Sequence, residues 1–221
     1  MLGPAEQYRS TTQAILDFMQ YLVAADDDKK SSGNLFDHLP LISELVFQRF
    51  VDNFITYISD LLTVVFTARP EMLKSDEKIS VKEVLEYETR SDLIAILTER
   101  KITALSFKGL TDLSEEVSKK HGVVLFATAG ELASAAILVE KRNLIAHNRA
   151  IVNRRYLERV PFPSEKIGER LSLSIEQVLA EQGVLGHLVS EMHIRVMGKF
   201  VWPYEAKTER PIVGVSPLVG Q

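Results

Sequence analysis

Apolar residues recur at three- and four-residue spacing along most of this chain, the period that gathers them into one stripe of an α-helix. In residues 6–24 the stripe is Tyr8, Ile15, Leu16, Met19, Leu22 and Val23. Between 37 and 67, Phe47, Phe50, Phe54, Tyr57, Ile58, Leu61 and Val65 make one broad face, while Val46, Val51, Ile55 and Leu62 load the opposite side. A helix apolar all round is buried on more than one side, so this stretch predicts the central element. Pro70 ends it, because proline has no N–H for the preceding turn. Ser80-Val81-Lys82-Glu83 has capping-box spacing for a short helix. Ser91 stands where it would cap the next, with Leu93, Ile94, Ile96, Leu97, Ile102 and Leu105 as the buried side. Gly109 breaks that pattern, and a charged helix from Thr111 to His121 stops at Gly122, a residue suited to the left-handed position after a helix. His121 is expected beside the exposed carbonyls of that helix end.

Val123–Phe126 is a short apolar run without a second strand to pair with. Thr128-Ala129-Gly130-Glu131 repeats the capping box and opens a helix running to about His147 or Asn148. Alanines at 129, 133, 135 and 136 permit close helix contact there, and Leu144 and Ile145 point to the core. Residues 154–160 read as a short turn or helix, and Pro161 and Pro163 as a joint. From Ser164 to about Phe200 the helical period returns, with Gly183 and Gly186 expected to split it in two. The last twenty residues, holding Pro203, Pro211, Pro217, Gly214 and Gly220, read as an extended tail. The class is all-α: a helical domain over 1–160, C-terminal helices over 161–202 packed on it, and a tail over 203–221.

Composition narrows the chemistry. At 221 residues and 46% hydrophobic, the chain can bury a sizeable core. It has no cysteine, which excludes a disulfide framework, a thiolate metal site and a cysteine nucleophile, and fits a reducing cytoplasm. No basic leader precedes an apolar run at the N-terminus. The apolar stretch at 41–68 is interrupted by Glu44, Arg49, Asp52, Asn53 and Asp60, so no membrane span is expected and a cytoplasmic location is. The acidic run Asp26-Asp27-Asp28 lacks the glycine and distal glutamate of a calcium loop and reads as solvated. His38, His187 and His193 have no i,i+4 pairing for a metal, and Asp17, Asp60, Asp92 and Asp112 are scattered, so no metal or cofactor is expected.

The net charge of −4 is unevenly spread. Lys141, Arg142, Arg149, Arg154, Arg155 and Arg159 stand against Glu158 alone between 141 and 159. That is a basic segment on an acidic chain, able to hold a phosphate strand. Within it lies Lys141-Arg142-Asn143-Leu144-Ile145-Ala146-His147-Asn148-Arg149. Residues four apart share a helix face, so Asn143 and His147 stack, with Arg142 rotated by ~100° and long enough to reach round. RNA carries its own nucleophile, the 2′-hydroxyl. Cutting it requires a proton acceptor, a proton donor and positive charge at phosphorus. Histidine suits the first two tasks and arginine the third, with asparagine able to orient either. One histidine is too few for two proton transfers, which a two-fold dimer would remedy by bringing two copies of this helix together.

The R-N-x3-H arrangement, and the wider run from Lys141 to Tyr156, KRNLIAHNRAIVNRRY, resemble the HEPN superfamily, whose prokaryotic members write R-N-L-I-x-H-N followed by I-V-N. Close likeness covers sixteen residues; a general helical pattern covers 35–160. The resemblance implies a helical bundle that dimerises with its R-x4-6-H motifs facing across the dyad. It also implies a metal-independent endoribonuclease leaving a 2′,3′-cyclic phosphate, of toxin–antitoxin or antiviral defence type. On that basis Arg142, Asn143 and His147 are the catalytic candidates. Lys141, Asn148, Arg149, Arg154 and Arg155 are the RNA-binding candidates, and RNA, a second copy and an antitoxin or other partner protein are the expected partners. Arg149-Ala150 departs from the pattern, standing where a glycine or other small pair is expected. Other readings stay open: a non-catalytic RNA-binding or dimerisation module of a larger complex, a helical scaffold whose polar ridge closes its own dimer, and no role at all, with Arg142 paired to Glu140 or Glu131 or lying in solvent and the basic run a solvated face.

Overall fold

In the computed structural model, which describes residues 3–27, 38–74, 79–161 and 163–202, the chain is all-α. The expected loop at Asp26 begins later, since Asp26 and Asp27 still belong to the first helix. Its remainder from 28 and the tail from 203 lie outside the described residues, as do the side chains of 23–27. The helices are α1 (Pro4–Asp27), α2 (Leu39–Ala68), α3 (Val81–Leu85), α4 (Arg90–Ser106), α5 (Leu110–His121), α6 (Ala129–Asn148), α7 (Arg154–Arg159) and α8 (Ile175–Phe200). A 3-10 turn, Pro70–Leu73, follows α2.

α2 is the axis, and α1, α4, α6 and α8 pack on it. By length and composition it would suffice to cross a membrane. Here its apolar surface is covered by neighbours: Phe47, Phe50, Phe54, Tyr57, Leu61 and Phe66 are fully buried. Each aromatic removes ~150–250 Å² from water, so this helix dominates the hydrophobic stabilisation. Its one buried amide is used across the interface with α1, Asn53 Nδ2 donating to Tyr8 O at 3.0 Å and Thr12 Oγ1 at 3.1 Å. Tyr57 donates its hydroxyl to Val189 O on α8 at 3.3 Å. Ala68 is the last helical residue, and Arg69, before Pro70, leaves the α region at φ −128°, ψ 66°, as a pre-proline residue should.

Several local expectations are corrected. α4 starts two residues earlier than Ser91 implied: Thr89 is the cap, its Oγ1 accepting from Asp92 N while Asp92 Oδ2 accepts from Thr89 N. Of the six residues assigned to its buried face only Leu105 is fully buried, because α4 lies at the rim. The residues after Pro163 are not helical until Ile175, and Gly183 and Gly186 do not divide α8. Ser174 and Gln177 form its capping box, and one continuous hydrophobic face, Val178 to Phe200, packs the helix into the core. That burial outweighs the ~1 kcal/mol each interior glycine costs. His121, expected beside helix-end carbonyls, makes a T-shaped ring contact with Phe66, centroids 5.2 Å apart, and its buried Nε2 has no hydrogen-bond partner among the described residues. Burial lowers its pKa. Gly122 does adopt the left-handed conformation, φ 66°.

Glu116 on α5 is approached by three ammonium groups, Lys108 at 2.5 Å, Lys120 at 3.1 Å and Lys101 at 3.5 Å. The hydrogen bond from Lys108, then that from Lys120, holds its carboxyl down to about 2 from 4.5. The folded value lies below the unfolded one, so the stabilisation is complete above about 4.5 and is lost as pH falls from there toward 2. The lysines are partly exposed and screened, so Glu116→Gln should cost about 1 kcal/mol at neutral pH. That difference from wild type should shrink steadily in urea titrations taken below pH 4.5.

Candidate functional site

α6 opens with Thr128, whose Oγ1 accepts from Glu131 N at 3.1 Å. The reciprocal half of the box reaches one residue further back, Glu131 Oε2 accepting from Ala127 N at 2.8 Å. Ala135 is fully buried against the core and Ala136 half-buried, while Ala129 and Ala133 are exposed. Leu144 and Ile145 are buried, which fixes the rotation of the helix and turns its polar ridge outward.

The helix ends in a turn of two successive left-handed residues, Arg149 at φ 54° and Ala150 at φ 60°. Ala150 N donates to Leu144 O at 3.2 Å, and the Asn148 amide donates to Ile151 O. The chain from 168 to 171 then returns to clasp the turn. Val152 N donates to Glu169 O, Gly168 N to Val152 O and Leu171 N to Ala150 O, at 2.7–2.9 Å. Arg170, in the same segment, ion-pairs with the buried Glu44 on α2 at 2.6 Å. Asn153 Oδ1 accepts from Tyr156 N at 2.9 Å and caps α7. Left-handed backbone costs an ordinary residue about 1 kcal/mol. Arg149→Gly should therefore raise stability by about 1 kcal/mol in equilibrium unfolding, since the exposed guanidinium has no partner among the described residues.

The sequence candidates separate into two groups. Three of the six bases are neutralised within the fold: Lys141 by Glu181, Arg142 by Asp52 at 2.7 Å, and Arg159 by Glu140 at 2.6 Å. Arg142 also donates to Asn143 Oδ1 at 3.2 Å, so Asn143 orients the guanidinium, and no bond joins it to His147. Asn148 is occupied by the turn. Arg149, Arg154, Arg155 and His147 are exposed, with no ion pair or hydrogen bond among the described residues.

His147 overlooks a hollow of about 340 Å³ walled by Glu140, Asn143, Asn148, Asn153, Arg155 and Tyr156. Arg142 and Asn143 line the adjoining and larger concavity. Asn143, with Glu140 and Arg155, lines both hollows. Two wall residues escaped the sequence reading. Asp52 lies 90 positions upstream in a core helix, where it looked like an interruption of apolar pattern. Tyr156 is buried with its hydroxyl unpartnered, and burial pushes its pKa up to about 12, so it can donate a proton bond but not serve as a base. Among the described residues no three carboxylates or histidines gather as a metal-ligand set. Within one chain the site thus offers one exposed imidazole, one anchored guanidinium and an amide bonded to that guanidinium. The chain matches no protein-family model, no curated protein and no solved structure.

Proposed function

We propose that this chain is a metal-independent endoribonuclease of HEPN type, with two copies of the α6 terminus combined at a homodimer interface. The observation that carries the proposal is the division of labour in the run from Arg142 to Asn153. Asn148, Ala150, Val152 and Asn153 build the turn and the next cap, while the His147 side chain is exposed and holds nothing among the described residues. Residues that fold needs are accounted for; the imidazole is not.

In this reading one His147 removes the proton from a ribose 2′-hydroxyl as the oxygen attacks phosphorus. The partner's His147 delivers a proton to the departing 5′-oxygen. The products are a 2′,3′-cyclic phosphate and a free 5′-hydroxyl. Arg142 steadies the charge at phosphorus. Its Nη1 and Nη2 are each committed once, to Asn143 and Asp52, and each keeps another N–H to donate. Arg149 and Arg155 guide the strand. The target would be cellular or phage RNA, with the activity held in check by an antitoxin or other partner protein in the cytoplasm.

The second reading, a non-catalytic RNA-binding or dimerisation module, draws support from the pairing of Lys141 and Arg142 with carboxylates, which lowers the charge available to a phosphate. The two separate on the product. Purified protein in excess EDTA should cut single-stranded RNA and leave cyclic phosphate ends; RNA bound and recovered intact would favour the module.

A further inference from the structure

The larger concavity beside the His147 hollow measures about 860 Å³ and lies between α2, the α4–α5 turn, α6 and α7. The two share Glu140, Asn143 and Arg155 as walls, so they form one groove with a narrowing between. On its far lip stands Phe107, 86% exposed. It belongs neither to the core nor to the partly buried residues packed against the core. Leu105 closes the α4 terminus by accepting from Lys108 N at 3.0 Å, so the turn does not need the ring. Single exposed apolar side chains are ordinary on a protein surface, and Leu85, Val81 and Tyr21 are exposed as well. What sets Phe107 apart is its place at the mouth of the concavity that adjoins the His147 hollow.

Charge narrows what could lie there. The lining holds four bases, Lys108, Arg142, Arg155 and Arg159, against three carboxylates, Asp52, Asp112 and Glu140. Arg142, Arg159 and Lys108 are paired in the fold, as are Asp52 and Glu140, so among the described residues Arg155 is the lining cation without an ion pair and Asp112 the lining carboxylate without one. One open cation and one open aromatic, with the Thr111 hydroxyl beside them and Thr56 and Ser59 able only to accept while they donate to Asp52 O and Ile55 O, match a nucleotide's phosphate, base and sugar. A surface this weakly charged holds a polyanion poorly by attraction alone, so stacking must carry much of the affinity.

We propose that this groove binds the single-stranded RNA flanking the scissile phosphate, with a base stacked on Phe107 and an intervening phosphate on Arg155. It deepens the ribonuclease reading by giving the strand its path, and it rests on that reading for the position of the scissile bond.

The test uses the full chain and a short fluorescent 2′-O-methyl oligoribonucleotide of mixed sequence, which lacks the nucleophile and stays whole. Phe107→Ala should weaken binding about fivefold or more, and Phe107→Tyr should restore it. Arg155→Ala should weaken binding and lower the salt slope by about one. Both positions are exposed, so circular dichroism should not change. Equal affinity of Phe107→Ala and wild type overturns the proposal. So does a Phe107→Ala protein that loses self-association while keeping its affinity, since the ring would then face a second copy. Cleavage of ordinary RNA, measured in parallel, separates this claim from the nuclease reading. Ring-dependent binding without cleavage keeps the groove and removes the nuclease. His147-dependent cleavage with normal binding by Phe107→Ala does the reverse.

Discussion

His147→Ala should abolish RNA cleavage while leaving fold, stability and self-association as they are. The side chain is exposed at the last turn of α6 and makes no hydrogen bond among the described residues, so truncation leaves no cavity and orphans no partner. Surface changes of this sort fall within about 0.5 kcal/mol. Its chemical cost is far larger. A positioned acid or base is worth about 10²–10⁴ in rate, and in a two-fold site one substitution removes both. Cleavage should therefore fall by at least about a hundredfold in EDTA, with thermal unfolding and sedimentation unchanged. A mixed dimer of wild type and His147→Ala should regain little, because each subunit supplies half of the proton transfers. If His147→Ala protein, purified free of other nucleases, cuts as fast as wild type, the catalytic proposal fails and the imidazole is a solvated residue.

What the sequence made visible follows from the range of the interactions involved. The central helix was legible because thirty residues of α2 carry apolar side chains on every face, a pattern that only deep burial satisfies. The end of α6 was legible because its signals are local: Thr128 at the start, two buried residues at 144 and 145, and the polar face between. The division of α8 at Gly183 and Gly186 failed because glycine reports a local weakness. The face from Leu185 to Phe200 is held by α2, which no window of the sequence contains. The same limit hid Asp52. It marked a break in an apolar helix, and only the packing of α6 on α2 places its carboxylate against Arg142.

The resemblance carried by KRNLIAHNRAIVNRRY also divides once its residues have places. Asn148, Val152 and Asn153 match because the clasp after α6 requires them: an amide for the turn, a buried aliphatic and a cap. A scaffold without activity could share these. Arg149 and Ala150 depart from the pattern and still adopt the left-handed angles that a small pair would take, with the turn clasped by the return segment at 168–171. The departure therefore costs local strain without moving His147 from the end of the helix. Chemistry has to be argued from Arg142, Asn143 and His147 alone, and the first of these is not free.

Asp52→Ala should lower cleavage by about ten- to a hundredfold, acting through Arg142. The carboxylate sits 2.7 Å from Nη2 and, with Asn143 on Nη1, fixes the guanidinium plane beside the groove. Without it the long side chain regains its rotamers, and misplacement by about 1 Å is worth roughly a hundredfold in rate. The effect on folding should stay below about 1 kcal/mol, because both partners keep a quarter to a third of their side-chain surface in solvent. Asp52→Asn retains an acceptor at the same place and should recover part of the rate. A double-mutant cycle makes the test specific: on an Arg142→Ala background, Asp52→Ala should change nothing further, since the two act as one unit. Additive losses would mean that Asp52 meets the substrate or the fold directly. A faster Asp52→Ala enzyme would mean that the carboxylate restrains the guanidinium instead of positioning it, so that the ion pair is a brake to be displaced by the phosphate.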